Sequence, residues 1–138
     1  MICVSKCLLG ECCRYDGGHM KNEKVLEFLK DKEYVSVCPE CLGGLSTPRN
    51  PSEIIQGKVI SSDGKDVSEA FHIGAQKALE IAQKANCTLA ILKENSPSCG
   101  SHKVYDGTFT GKKCDGKGVC AALFEKNGIK VVSSDEFE

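Results

Sequence analysis

Ten cysteines in a chain of 138 residues are the part of this sequence that could do chemistry. Thiolates are soft ligands that select zinc, copper(I) or iron–sulfur clusters. A structural zinc site normally shows two close cysteine pairs. This chain has one Cys-x-x-Cys pair, Cys38 and Cys41, and an adjacent pair, Cys12 and Cys13, which is a poor chelate for one tetrahedral ion. The spacing favours a cluster over zinc only modestly, because ligand type does not separate the two.

The rest of the composition argues against a disulfide scaffold. Apolar residues near the N-terminus are interrupted by Ser5, Lys6 and Cys7, unlike the core of a signal peptide. No apolar run approaches membrane-spanning length. The net charge of −1 indicates no basic surface for nucleic acid or membrane. We therefore predict a cytoplasmic protein, in which so many cysteines point to metal binding or catalysis.

The spacing of apolar residues predicts the elements that must position these cysteines. Strands are predicted at 2–5, 34–37, 88–92 and 129–133, helices at 21–32, 66–85 and 118–126, and hairpins at 54–60 and 105–112. Strands that alternate with helices form a parallel sheet with right-handed crossovers. We predict one α/β domain over residues 1–138: a compact three-layer, Rossmann-like domain with a mainly parallel sheet and small hairpins.

Three cysteines come just after predicted strands. Cys7, Cys38 and Cys99 each lie just past the C-terminal end of one strand. Ligands of open α/β sheets bind at that edge. The sequence therefore predicts that these three cysteines, far apart in the chain, converge at one rim of the sheet.

Three ordered blocks of sequence resemble one protein family. They read CLLG with CRYDG (7–10, 13–17), CPE with GGLSTPR (38–40, 43–49), and SPSCG (96–100). Together they are similar to a bacterial family long labelled only as a domain of unknown function, which includes the thiouracil desulfidases. The resemblance covers nearly the whole chain. It implies a compact α/β fold and a 4Fe-4S cluster with one open iron, held by Cys7, Cys38 and Cys99.

The same resemblance implies a reaction and its residues. The expected activity is non-redox desulfuration of a thiolated uracil or thiouridine-type substrate, giving uracil or uridine and hydrosulfide, with the substrate sulfur on the open iron. By position in the motifs, Glu40 is the expected base for water, and Ser96 is expected to orient water or shuttle a proton. The expected partner is a small thiolated nucleobase or nucleoside. Nucleic acid and a homo-oligomer are left open, and no membrane is expected.

Other functions remain open at this stage. The chain could be a non-catalytic metal-binding module, either a zinc-stabilised domain or an iron–sulfur carrier, or a thiol–disulfide redox protein built on Cys38 and Cys41. Cys41 departs from the family pattern and could act as a substitute ligand or bind zinc. Arg49 could form an ion pair at the rim or bind the substrate. Three cysteines are expected to pack in the core as small hydrophobes: Cys3, Cys87 and Cys120.

Overall fold

The computed structural model describes residues 1–137, with Phe137 described by its backbone alone. The strands are β1 (Ile2–Ser5), β2 (Tyr34–Val37), β3 (Ser52–Ile55), β4 (Lys58–Ser61), β5 (Leu89–Leu92), β6 (Lys103–Tyr105), β7 (Lys113–Asp115) and β8 (Lys130–Ser133). The α-helices are α1 (Glu23–Leu29), α2 (Pro39–Leu42), α3 (Ser68–Lys84) and α4 (Val119–Lys126). Short 3-10 helices span Lys6–Leu9 and Ser134–Phe137.

A parallel sheet forms the centre of the described chain, with the strand order β2-β1-β5-β8. Two antiparallel hairpins, β3–β4 and β6–β7, lie outside it. The predicted α/β fold with a mainly parallel sheet and small hairpins is therefore confirmed.

Helices cover both faces of this sheet. On one face, Cys3 and Ala90 pack with residues of α3 and α4. On the other, Val4 and Ile91 pack against α1. Two consecutive residues of a central strand thus pack in different hydrophobic cores, because successive side chains of a strand point to opposite faces of the sheet. In the described part of the chain, no helix is long and apolar enough to cross a membrane.

Three cysteines fill one of these cores, as predicted. Cys3, Cys87 and Cys120 are buried in the cluster formed with α3 and α4. Burial raises the pKa of Cys3 to about 12 and also raises the pKa of Cys120. Such thiols stay protonated at neutral pH and behave as small apolar side chains.

The order of the strands creates a crevice where ligands bind in such sheets. From β1 the chain moves outward to β2 and then returns, through α3, to β5 on the other side of β1. The direction of winding therefore reverses between β1 and β5. Ligands of open α/β sheets bind at the carboxyl ends of the strands beside such a switch. Cys7 follows β1 and Cys99 follows β5 in the chain.

Some predicted boundaries were wrong. The helix expected at 21–32 covers only Glu23–Leu29, because the Asn22 side chain caps it by accepting the N–H groups of Lys24 and Val25 at 3.0 and 3.1 Å. The hairpin expected at 105–112 has strands Lys103–Tyr105 and Lys113–Asp115, so residues 106–112 form the connection between them. The four-residue helix α2 was not predicted.

Close backbone contact fixes α2 against α3. A Cβ atom added to Gly74 would lie 1.8 Å from the Pro39 carbonyl oxygen, and one added to Gly43 would lie 2.0 Å from the Ala70 carbonyl oxygen. Only glycine permits this approach at either position. It holds the segment that begins at Cys38 and carries Glu40.

Candidate active site and metal centre

A cavity of about 380 Å³ lies at the carboxyl ends of the sheet strands. Its lining includes the ends of β1 and β2 and the segment that follows β5. The five residues expected as cluster ligands or catalytic groups line it together: Cys7, Cys38, Cys99, Glu40 and Ser96. The predicted convergence of the three cysteines is therefore observed. The cavity has the size of an ordinary small-molecule site.

Each of the three cysteines comes from a different element. Cys7 lies in the 3-10 helix directly after β1. Cys38 follows β2 and precedes α2. The first residue of α2, Pro39, suits a helix start because its missing N–H would have no intrahelical partner. Cys99 lies in the loop after β5 and is only 4% exposed. The three thiols are thus held by the fold as a whole.

These thiols influence one another electrostatically. Burial raises the pKa of Cys7 to about 12, and the neighbouring Cys99 and Cys38 act in the same direction, whereas Lys93 and Arg14 oppose it. Burial likewise raises the pKa of Cys99 to about 11. Without a metal the thiols are neutral, so ligation must displace their protons.

The donor set is chemically compatible with an iron–sulfur cluster. Among residues 1–137, no group of three or more His, Cys, Asp or Glu side chains is arranged to hold one metal ion. Yet Cys7, Cys38 and Cys99 are free thiols that face one cavity. Cysteine thiolates are the usual ligands of iron–sulfur clusters, which spread their ligands over several iron atoms. The chemistry of the residues present therefore agrees with such a cofactor.

Cys41 lies beside Cys38, and the thiols of both contact the Cys13 carbonyl oxygen. The Cys41 Sγ lies 3.7 Å from the Cys13 carbonyl oxygen, 3.6 Å from Thr47 Oγ1 and 4.0 Å from Arg49 Nη1. Cys13 lines the cavity, whereas Cys41 does not. A hydrogen bond between the side chains of Cys13 and Cys38 lowers the pKa of the first and raises that of the second. Cys13 is therefore an additional thiol in the cavity lining.

Glu40 is held by an ion pair inside the cavity wall. Arg49 Nε donates to Glu40 Oε1 at 3.1 Å, and the two side chains are 8% and 17% exposed. The other guanidinium nitrogens of Arg49 donate to the Cys13 carbonyl oxygen at 3.0 Å and to Thr47 Oγ1 at 3.0 Å. Of the roles considered for Arg49, the ion pair is the one the structure displays. Its geometry fixes the carboxylate of Glu40.

A chain of hydroxyl groups continues from that carboxylate. Ser98 Oγ donates to Glu40 Oε2 at 3.1 Å and lies 2.9 Å from Ser96 Oγ. Ser96 Oγ also accepts the backbone N–H groups of Ser98 and Cys99, each at 3.1 Å. Ser98, which is buried, was missed from the sequence. Its position in the SPSCG block, next to the predicted ligand Cys99, is the sequence feature that could have identified it.

The first turn of α4 anchors this loop. The N–H groups of Val119 and Cys120 donate to the carbonyl oxygens of Pro97 and Ser98 at 2.9 and 2.8 Å. Loop carbonyls thus satisfy N–H groups that a helix start leaves unpaired. A Cβ atom added to Gly118 would lie 2.4 Å from the Ser98 carbonyl carbon, so the helix end rests directly on the loop.

Glu94 fixes the other end of the Cys99 loop and was also missed. Its side chain is buried, and its Oε1 accepts the backbone N–H groups of Ser101, His102 and Lys103 at 2.8, 3.1 and 3.2 Å. Burial acts to raise the pKa of Glu94, but a hydrogen bond from Ser133 and those from backbone amides outweigh it and lower the pKa to about 2.

We expect Glu94→Gln to lower the free energy of unfolding by about 3 kcal/mol at pH 7, the equivalent of this pKa shift. The ordinary pKa of the group is 4.5. Its depressed folded-state pKa contributes stability above pH 4.5 that is lost as the pH falls towards 2. Urea unfolding of iron-free protein at several pH values measures the difference between variant and wild type. That difference should shrink below pH 4.5, and a constant or absent difference would contradict the assignment. Glu80→Gln, on the exposed side of α3, is the matched control.

Comparisons with known proteins agree with this fold. A family model described as 2-thiouracil desulfurase matches residues 2–136. The uncharacterized protein YbbK of Bacillus subtilis (strain 168) is 48% identical over 146 residues, an alignment that covers 99% of this chain and 97% of that protein. The solved structure of the 4Fe-4S-dependent thiouracil desulfidase TudS superposes with a TM-score of 0.90 at 40% identity, covering 98% of this chain and 91% of that one.

Proposed function

Since the chain belongs to the 2-thiouracil desulfurase family, we propose that it removes the sulfur of a thiolated uracil by hydrolysis, with a 4Fe-4S cluster as cofactor. One observation carries the proposal. The thiols of Cys7, Cys38 and Cys99 share one cavity wall with Glu40 and Ser96, which the Ser98 hydroxyl links. Ligands for a cluster and groups that can move protons are thus within one site.

In this proposal the cluster is held by Cys7, Cys38 and Cys99. With three protein ligands, a bound cluster keeps one iron open and supplies a Lewis-acidic, thiophilic position at the cavity. Lys93 and Arg14, which act to lower the pKa of Cys7, favour the deprotonated form that ligation requires. Both of these cations line the same cavity.

The proposed reaction needs neither an oxidant nor a reductant. Water supplies the oxygen that forms the new carbon–oxygen bond, and the carbon–sulfur bond breaks. The products are uracil, hydrosulfide and a proton. The protein must therefore activate water, and it must accept and return protons near the reacting carbon.

Glu40 is the proposed base. Its carboxylate lines the cavity, and both of its oxygens are oriented, one by Arg49 and the other by Ser98. An oriented carboxylate can accept the proton of a water molecule held at its free lone pairs. Arg49 is then a positioning residue, since its side chain is almost fully buried and its donors are occupied.

Ser98 and Ser96 are the proposed path for the returning proton. Ser98 donates to the ionised carboxylate of Glu40. Once Glu40 holds a proton, Ser98 Oγ can accept it while passing its own hydroxyl proton to Ser96 Oγ. Ser96 lines the cavity, so a proton taken by the carboxylate can reach the substrate side of the chain through two hydroxyl groups. This gives Ser96 the shuttling role expected from its motif and adds Ser98 as the link.

The thiol–disulfide alternative receives no support from the pair Cys38 and Cys41. The pKa of each is raised, Cys38 mainly by its hydrogen bond with Cys13 and Cys41 mainly by burial. A nucleophilic redox cysteine needs the opposite shift.

Anaerobic purification, followed by reconstitution with iron and sulfide, tests the proposed function. We expect a brown protein with equal amounts of iron and acid-labile sulfide, matching one 4Fe-4S cluster per chain. With 2-thiouracil or 4-thiouracil it should release hydrosulfide and uracil in equal amounts. A colourless protein that binds one zinc would contradict the proposal in favour of a zinc module. A cluster without hydrosulfide release would instead favour an iron–sulfur carrier.

A further inference from the structure

The connection between β6 and β7 presents one aromatic side chain at the cavity. Phe109 lines the cavity and is 38% exposed. Its φ of 57° lies in the left-handed region, which is a genuine outlier for a bulky residue. Such a conformation persists only where the surrounding structure enforces it, and it occurs preferentially at ligand sites.

The surrounding structure enforces it through Glu53 on β3. The Glu53 side chain accepts the backbone N–H groups of Gly107 and Phe109 at 2.9 and 3.1 Å, and the residue is 8% exposed. Gly107 packs so closely on β3 that an added Cβ atom would lie 2.9 Å from the Ile54 carbonyl oxygen. A buried carboxylate and a backbone contact thus fix the position from which Phe109 reaches the cavity.

Phe109 differs from the other aromatic residues of the cavity lining. Arg14 lies over the Tyr15 ring at 5.3 Å, and Lys113 lies over the Tyr105 ring at 5.9 Å. Within the described residues, no cation lies over the ring of Phe109. This ring is apolar and partly exposed, and it faces a cavity that is also lined by thiols, hydroxyls and charged groups. A planar heteroaromatic ring is the ligand surface that such a side chain suits.

We propose that Phe109 stacks on the pyrimidine ring of the substrate and determines the preference for a planar thiocarbonyl ring, with Glu53 as its positioning residue. The inference rests on the proposed function, because it places a thiolated pyrimidine in this cavity. Aromatic stacking on a base tolerates changes in the substituents of the ring, since every base has a π-face. Phe109 therefore contributes to binding, whereas Glu40, Ser98 and Ser96 are the groups that move protons.

Steady-state kinetics of the cluster-loaded enzyme with 2-thiouracil test this role. Phe109→Ala should raise KM about tenfold, within the range found for loss of a base-stacking ring, and should leave kcat within about twofold. Phe109→Trp should keep the KM of the wild type. Phe109→Gly, which accepts a positive φ without strain, should match Phe109→Ala and so separate loss of the ring from a backbone effect. Tyr34→Ala removes an equally exposed aromatic ring outside the cavity and is the control.

Glu53 variants test the positioning step. Glu53→Ala should raise KM with kcat and iron content unchanged, whereas Glu53→Gln keeps an acceptor oxygen and should recover part of the loss. Because Glu53 acts through Phe109, the double variant should be no worse than Phe109→Ala alone. Additive effects would overturn the positioning role.

The failure of this inference can be told apart from failure of the proposed function. If the wild type releases hydrosulfide and Phe109→Ala keeps its KM, the stacking role is overturned and the function stands. If the wild type releases no hydrosulfide, the proposed function is wrong. Equilibrium binding of 2-thiouracil to the iron-loaded protein then tests the stacking role. About tenfold weaker binding by Phe109→Ala would support it. Equal binding, or no binding by the wild type, would overturn it.

Discussion

Cys38→Ala is expected to give a folded protein that stays colourless after reconstitution and releases no hydrosulfide. In the proposed ligation three thiolates hold the cluster, so loss of one would leave two ligands. The fold should survive, because the Cys38 side chain makes only long contacts, such as 3.8 Å from its Sγ to the Cys13 carbonyl oxygen. Iron and sulfide content, visible absorbance and circular dichroism measure the outcome.

The chain offers a matched control for this substitution. Cys41 is the other cysteine of the same Cys-x-x-Cys pair, and it does not line the cavity. Cys41→Ala should therefore keep both the colour and the activity. If Cys38→Ala retains the cluster and the double variant with Cys41→Ala loses it, Cys41 is a substitute ligand and the assignment of Cys38 as the essential ligand is wrong.

The same result is expected at the other two positions. Cys7→Ala and Cys99→Ala should each abolish cluster and activity together. Cys99 is buried, so its variant needs a folding control. Cys120→Ala provides one, since Cys120 is buried in the same core cluster as Cys99 but does not line the cavity. Loss of colour in Cys120→Ala would show that burial, and not ligation, explains the Cys99 result.

The position of the three cysteines could be predicted because it follows from strand ends. Residues 2–5 and 34–37 form the strands predicted for them, the second ending just before Cys38-Pro39. Parallel strands place their carboxyl ends at one edge, so residues after them must meet. Local pattern and topology were sufficient for this part of the site. Membership of the thiouracil desulfurase family, expected from the three blocks, is likewise confirmed.

The supporting contacts could not be predicted, because they depend on tertiary burial. Glu94 follows an apolar strand, and its sequence context is that of a solvated loop acid. In the folded loop, however, three backbone N–H groups donate to its carboxylate. The helix α2 is too short to have a periodic pattern, and its packing depends on close contact between Gly43 and α3. Phe109 lay within a predicted hairpin, where alternation rules give no reason to expect a positive φ.

Glu40→Gln should keep the cluster and lower kcat about 10² to 10⁴-fold, the usual contribution of a general base. The amide has the shape of the carboxylate and keeps an oxygen acceptor for one of its two partners, Arg49 or Ser98. It cannot take a proton from water. Iron content and absorbance should match the wild type, so the loss would belong to proton transfer. Glu69→Gln, an exposed acid on α3, is the control.

The hydroxyl chain provides the second half of this test. Ser98→Ala interrupts the link between Glu40 and Ser96 but leaves the Arg49 ion pair intact. We expect a smaller loss of kcat than for Glu40→Gln, because water can replace a missing hydroxyl in a proton path. Groups that act as one unit give non-additive losses. The double variant Glu40→Gln, Ser98→Ala should therefore be no slower than Glu40→Gln alone, and multiplied losses would show that Ser98 acts independently of the carboxylate.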